Sequence, residues 1–301
     1  MALLVTGSIA IDTVRTPFGA SERCLGGSAV YFSMAASFFA PVRLVGVIGP
    51  DCPFDLRNVF KGRTVDLAGL EVRQASKTFR WAGSYSGAMN EAITENVALN
   101  VLAERPPDVP EAYRDSRFVF LANTAPALQM QLLSRIEKPL FVAADTMNCW
   151  IDNNLGDLEQ LLAKIDALIF NDTEARMLTK QQNTIAAAAK VLEMGPSVVI
   201  IKKGEHGSVM ATRDGQHFAL PAYPTAAVKD PTGAGDAFAG ALMGYLAKTQ
   251  NTRLESLKKA IAYGTVLASF TIEDFSLRKV SAITTNDIEK RFDNLRQITS
   301  F

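Results

Sequence analysis

Asp230-Pro231-Thr232-Gly233-Ala234-Gly235-Asp236-Ala237-Phe238-Ala239-Gly240 places two glycines and an acid where a loop becomes a long helical stretch. Free N–H groups at a helix start, together with the positive end of its macrodipole, form a receptor for phosphate. Glycine at 233 and 235 lets the backbone approach such an anion without a Cβ in the way. Gly233, Ala234 and Gly235 therefore read as an anion hole. Asp236, in the first turn, is placed to take the proton of a hydroxyl beside the phosphate, as a phosphoryl transfer requires. The plainer reading of the same residues is a capped helix, with Asp230 or Thr232 as N-cap.

Upstream of this loop, Leu3–Ala10, Val42–Ile48, Phe118–Ala122, Leu140–Ala144, Ala167–Phe170 and Val198–Lys202 read as buried strands. Their hydrophobicity is continuous rather than alternating, which predicts burial on both faces, as in a parallel sheet. Helical periodicity fills the intervals at 28–39, 128–136, 155–164 and 185–193. This alternation predicts a three-layer α/β/α, doubly wound, mostly parallel sheet. Residues 78–86 and 91–102 break the rhythm as a pair of exposed antiparallel strands, a flap on the main body. A hairpin is expected over 208–220, turning at Asp214-Gly215, followed by helices at about 235–248 and 254–270.

The bulk numbers exclude several classes. Lys plus Arg and Asp plus Glu stand at 31 each, so no global field draws in nucleic acid or an anionic membrane. Cys24, Cys52 and Cys149 are scattered, odd in number and without CxxC spacing, which argues against a zinc site or disulfide framework and fits a reducing cytosol. His206 and His217 have no partners at metal-ligand spacing. The N-terminal residues lack a basic leader, and no apolar run reaches the length of a membrane span.

The whole string DPTGAGDAFAG resembles the signature of the ribokinase, or PfkB, family of carbohydrate and nucleoside kinases. Other family landmarks follow in order along nearly the whole chain. Gly7-Ser8-Ile9-Ala10-Ile11-Asp12 is similar to the family's first strand, whose terminal Asp holds substrate hydroxyls. Gly26-Gly27-Ser28-Ala29 resembles the diglycine turn entering the first helix. Asn171-Asp172-Thr173-Glu174 matches the NxxE motif, and Lys202-Lys203-Gly204-Glu205-His206-Gly207 resembles the strand-end element of the ATP site.

The resemblance implies one ribokinase-like domain over 1–301, with lid elements at about 13–25 and 77–104. It implies Asp236 as catalytic base, Gly233, Ala234 and Gly235 as anion hole, and Asp12, Gly26, Gly27 and Ser28 at the acceptor. It implies Asn171, Lys202, Gly204 and Gly207 at ATP, and Mg²⁺ organised by Glu174 and Asn171, largely through water. A K⁺ site near Asp230 stays open. Each motif has a structural alternative: Asn171 and Glu174 also spell a capping box, Asp12 a turn cap, and Lys202 a solvated strand end. Pro231 stands where many relatives carry Thr, and Ser28 replaces a frequent Asn.

A P-loop, the protein-kinase motifs and a Rossmann glycine fingerprint are all absent from the sequence. The expected activity is transfer of the γ-phosphate of ATP to a hydroxyl of a pentose- or hexose-type sugar, with a ribonucleoside as the alternative acceptor. An idle sensor on the same scaffold would have lost Asp236 or the glycines, and it has not. Phe79, Trp81 and Tyr85 in the flap serve either to stack on a ring of the acceptor or to join two flaps in a homodimer, which would also protect an exposed strand edge.

Overall fold

Strands that are apolar at every position need cover on both faces, and the computed structural model, described for residues 2–300, supplies it. Thirteen strands are assigned in chain order: β1 Leu3–Thr6, β2 Ala10–Thr16, β3 Gly19–Gly26, β4 Val42–Ile48, β5 Val65–Val72, β6 Phe79–Ser84, β7 Ile93–Ala98, β8 Phe118–Leu121, β9 Phe141–Ala144, β10 Ala167–Asn171, β11 Val198–Lys202, β12 Ser208–Thr212 and β13 His217–Leu220. The helices are α1 Ser28–Ala36, α2 Leu56–Val59, α3 Pro126–Leu133, α4 Asn148–Asn153, α5 Leu155–Leu162, α6 Asp172–Thr179, α7 Thr184–Met194, α8 Ala234–Thr249, α9 Leu254–Thr271, α10 Arg278–Ala282 and α11 Thr285–Thr299.

Nine strands form one sheet in the order β13-β12-β11-β10-β9-β8-β1-β4-β5. It is parallel from β11 to β5, and β12 and β13 close one edge as an antiparallel hairpin. Successive strand residues point to opposite faces, and the two cores divide accordingly. Leu3, Val5, Phe118, Phe120, Ile169 and Ile200 pack with α1, α8 and α9. Their neighbours Leu4, Val119, Leu121, Leu168, Phe170 and Ile201 pack with α3, α5, α6 and α7. The fold class expected from the strand pattern is the one observed. The order in which successive strands join the sheet reverses between β1 and β8, the switch point where such sheets open a crevice at their carboxyl ends.

The expected first strand, 3–10, is in fact two. β1 stops at Thr6, the chain bends through Gly7–Ile9, and β2 begins a separate four-stranded sheet, β3-β2-β6-β7. The bend is tight because it crosses the entrance to α1: a Cβ at Gly7 would lie 2.6 Å from Ser28 Oγ and 2.7 Å from Ala122 Cβ. Within the small sheet, β6 and β7 are antiparallel, as expected of the flap, whereas β2 and β6 run parallel. β5 at the edge of the main sheet escaped the sequence reading because its burial is only partial. The small sheet is rooted by Asp51, whose Oδ1 accepts from Thr78 N at 2.7 Å and whose Oδ2 accepts from Arg80 at 2.7 Å.

Helices α1, α8 and α9 approach closely through small residues. A Cβ on Gly240 of α8 would overlap the Phe32 carbonyl of α1, and one on Gly264 of α9 would lie 2.9 Å from the Phe238 carbonyl. Backbone cannot move aside as a side-chain tip can. Gly240→Ala should therefore destabilise the fold by roughly 1–3 kcal/mol, the range for overpacking a core. Urea unfolding of the two proteins checks this, with an unchanged midpoint counting against the contact.

Candidate active site

The carboxyl ends of β10 and β11 lie side by side, in a register that pairs Asn171 with Lys202. Asn171 ends β10 and caps α6: its Oδ1 accepts from Glu174 N at 2.7 Å, while Glu174 Oε2 accepts from Asn171 N at 2.7 Å. The capping box is thus made. It leaves Glu174 Oε1 without a hydrogen bond among the described residues, on a side chain that is 7% exposed. Lys202 extends to the start of α8, where a Cβ on Gly235 would lie 2.6 Å from its Nζ. Gly233, the N-cap of α8, has φ +77°, and the ring of Tyr31 fills the place of its missing side chain. Asp230, fully buried, closes the preceding loop by accepting from Thr232 N at 2.9 Å. The amides of Gly235 and Asp236 have no acceptor among the described residues. Two free donors, a helix N-terminus and an ammonium group thus face one point, which is the chemistry of a phosphate site. Gly204 and Gly207 hold positive φ values of +55° and +80° in the turn after β11, closed by Lys203 N donating to Gly207 O at 2.7 Å.

Asp12 enters the cleft from the small sheet, a change from its expected place at the end of the first main-sheet strand. It sits in β2 opposite Trp81 of β6 and Cys24 of β3, 4% exposed, and its Oδ1 has no partner. Gly26 is beside it, and any Cβ there would overlap the carboxylate. Gly27, at φ +100°, passes against the Ser8 carbonyl at the same crossing. Ser28 is turned inward: Ser8 N donates to its Oγ at 3.1 Å and its own N donates to Ser8 Oγ at 2.9 Å. Two tyrosines flank the 230–236 loop. Tyr31 comes from α1, and Tyr85 follows β6, its hydroxyl accepting from Thr232 Oγ1 at 3.3 Å. Nothing in the spacing of α1 singles out Tyr31, since every residue of that helix is buried.

Comparison with known proteins agrees with this geometry. The profile of the pfkB family of carbohydrate kinases matches residues 21–284. A cytidine kinase of Thermococcus kodakarensis is 30% identical over 251 residues, covering 81% of this chain and 88% of that protein. The chain belongs to the pfkB family. A ribokinase of Staphylococcus aureus is 35% identical over 120 residues, 38% of this chain and 37% of the ribokinase. Among solved structures, a putative ribokinase II from E. coli, in complex with ATP and Mg²⁺, superposes with a TM-score of 0.77 at 17% identity. That match covers 98% of this chain and 100% of the other. The protein is accordingly a kinase of sugars or nucleosides, a phosphotransferase with an alcohol group as acceptor. Kinases of the family use ATP with Mg²⁺. No described helix is long and apolar enough to cross a membrane.

The electrostatics of the kinase cleft are lopsided. Asp145, immediately after β9, is buried with Oδ1 unpartnered, and burial followed by the nearby Asp236 charge pushes its carboxyl well above the usual range. Burial raises Glu174 and Asp236 to about 6 each, with Lys202 opposing the rise in both. Three carboxyls thus share one ammonium. Sequence reasoning missed Asp145; the signal was an acid directly following the strand Phe141–Ala144. Among the described residues no three acidic, His or Cys side chains converge to hold a metal alone. An orphaned buried carboxyl oxygen beside a half-committed Glu174 nevertheless fits a hard divalent cation whose other ligands are water and phosphate. A carboxyl raised by folding stabilises the fold fully below its unfolded value near 4. That contribution disappears as pH rises through the folded value, about 6 for Asp236. Asp236→Asn should therefore raise the melting temperature relative to wild type at pH 8 and leave it unchanged at pH 4. Calorimetric scans at the two pH values decide it.

Proposed function

We propose that this kinase phosphorylates a ribonucleoside of the cytidine type, with the 230–236 loop as the transfer site. The observation that carries the acceptor class is the breadth of similarity. The cytidine kinase matches over most of both chains, whereas the ribokinase matches over little more than a third of each. A wall of the acceptor cleft formed by Tyr85, with Trp81 across from Asp12, supplies ring surface suited to a base. A pentose or hexose remains the second reading, supported by the same ribokinase similarity.

In this mechanism Asp12 accepts hydrogen bonds from hydroxyls of the acceptor, with Gly26 and Gly27 leaving room for its ring. Asp236 takes the proton of the attacking hydroxyl as its oxygen bonds to the γ-phosphorus and the bond to the β,γ-bridging oxygen breaks, so that ADP leaves. The Gly235 and Asp236 amides, with Lys202, hold the charge developing on the transferred phosphoryl group. Gly204 and Gly207 allow the turn after β11 to lie against the nucleotide. Glu174, Asp145 and Asn171 would hold Mg²⁺ mainly through water, and the bound ion would neutralise the donor phosphates. Ser28 keeps the Gly7–Ile9 bend closed rather than contacting the acceptor, because both its hydroxyl and its amide are engaged with Ser8.

We also read the chain as one cytoplasmic folding unit that pairs through its lid. β7, an edge of the small sheet, is exposed almost throughout, and its Ile93 and Val97 are 58% and 50% exposed. An open edge strand that carries exposed aliphatic side chains favours pairing with a second copy. Replacing Ile93 and Val97 with Lys should shift sedimentation from dimer to monomer, and a wild-type monomer would count against lid pairing.

Burial and the charges of Asp230 and Asp236 push Asp12 up to about 8, so before substrate arrives its carboxyl is largely protonated at neutral pH. Hydroxyl donors favour the carboxylate, so acceptor binding should release a proton and tighten as pH rises from 6 to 8. Calorimetry in buffers of different ionisation enthalpy reads that proton directly. For catalysis, Asp236→Asn should lower kcat by about 10²–10⁴ with the fold and nucleotide binding retained. In wild type, the rate should fall below about pH 6 as Asp236 protonates. Glu174→Gln, which keeps a capping oxygen, should raise the Mg²⁺ concentration for half-maximal rate. Assaying the wild-type kinase with cytidine, other ribonucleosides, ribose and fructose tests the acceptor class. Turnover of free sugars alone overturns the nucleoside reading, and full activity of Asp236→Asn overturns the base.

A further inference from the structure

The small sheet covers the acceptor, but its β6–β7 connection goes further. Within seven residues it meets each of the three elements at the phosphate end of the cleft. Tyr85 accepts from Thr232 Oγ1 of the 230–236 loop at 3.3 Å. Asn90 meets the 204–207 turn twice, its Oδ1 accepting from Glu205 N at 3.3 Å and its Nδ2 donating to Glu205 Oε1 at 3.1 Å. Glu91 accepts from Thr173 Oγ1 in the first turn of α6, between Asn171 and Glu174.

The backbone of the connection is bent to make this reach. Gly87 and Met89 have φ of +57° and +55°, the latter uncommon for a residue with a side chain. Met89 is 7% exposed, yet it belongs to neither hydrophobic core. Gly204 is part of the same contact, since a Cβ there would overlap Asn90 Oδ1. A side chain at 204 would therefore hold the connection off.

We propose that Tyr85–Glu91 is a strap joining the acceptor lid to the donor-phosphate cradle, with Asn90 as the positioning residue that fixes the Gly204–Gly207 turn. The assignment rests on the kinase reading of the cleft given above. The elements that the strap touches are the ones expected to order around the donor phosphates. Donor binding then pulls the strap down, and the strap carries the lid over the acceptor. Asn90 acts through Glu205 and the turn, and the chemistry stays with Asp236.

Amide hydrogen exchange over residues 86–92 tests this, with a non-hydrolysable ATP analogue and Mg²⁺ present and acceptor absent. Calorimetry first establishes that the analogue binds. In wild type the analogue should slow exchange across the strap. Asn90→Asp sets a carboxylate against Glu205, and should abolish that protection and raise KM for ATP about five-fold, on the scale of one hydrogen bond. Combining Asn90→Asp with Glu205→Gln restores a donor facing an acceptor, and should recover both protection and KM. A merely structural role for Asn90 would not be rescued by exchanging the pair. Binding of the analogue without protection of 86–92 in wild type overturns the strap, as does a double variant that behaves like Asn90→Asp alone. Failure of the analogue to bind at all overturns the kinase reading itself.

Discussion

The start of α8 can hold an anion because two other side chains occupy the space its glycines leave empty. Tyr31 lies in the place of a Gly233 side chain and Lys202 Nζ beside that of Gly235. Any Cβ at these positions would move the ring or the ammonium group, and with them the walls of the cleft. The rest of the fold brings these two groups to one point. The main sheet ends β11 at Lys202, and α1 presents Tyr31 because Gly27 lets it begin directly behind the Gly7–Ile9 bend. The close seating of α8 on α1 through Gly240 holds the arrangement together. At Gly235 the volume given up is what matters, whereas Gly233, at φ +77°, also supplies a backbone conformation that side-chain-bearing residues rarely adopt.

A cleft that gathers Asp12, Asp145, Glu174, Asp230 and Asp236, with Lys202 beside only Asp145, Glu174 and Asp236, is costly to form without its ligands. Burial alone disfavours each carboxylate, and their mutual repulsion adds to the cost. Such an arrangement is a common mark of a functional site, because it is poised for cations and for hydroxyl donors that the empty protein lacks. Stability given up at the site is supplied by the two apolar cores on either side of the sheet, whose largest members, such as Phe32, Phe118, Phe120 and Phe170, are fully buried.

Much of this was legible in the sequence. Continuous apolar runs gave the parallel strands, because both faces are buried and no alternation survives. The loop from Asp230 to Gly240 stood out as the proposed transfer site, because glycine spacing and an acid in the first helical turn are local features. What was illegible depended on tertiary contact. The split of 3–10 into β1 and β2 hinges on Gly7 meeting Ser28 and Ala122, none of which is a neighbour of it in both space and sequence. Asp12 therefore moved from one sheet to the other. Asp145 was hidden because a single acid after a short strand looks like any strand end until Lys202 and Asp236 are beside it. Asn90 and Glu91 sit in a polar loop whose composition suggests only solvent.

The small sheet is assembled from two separated stretches, β2–β3 and β6–β7, with β4 and β5 of the main sheet between them in the chain. During synthesis the β2–β3 hairpin leaves the ribosome well before β6, its parallel neighbour, exists. Until then β2 has an open edge, and Ile11 and Val14, buried in the finished protein, have no cover. The intervening β4–β5 pair is the segment that must fold for β6 to be delivered to that edge. The order of emergence thus makes completion of the small sheet contingent on the main sheet having begun to form. Slow translation through residues 42–78 would prolong the interval in which the hairpin is most open to pairing with the wrong chain.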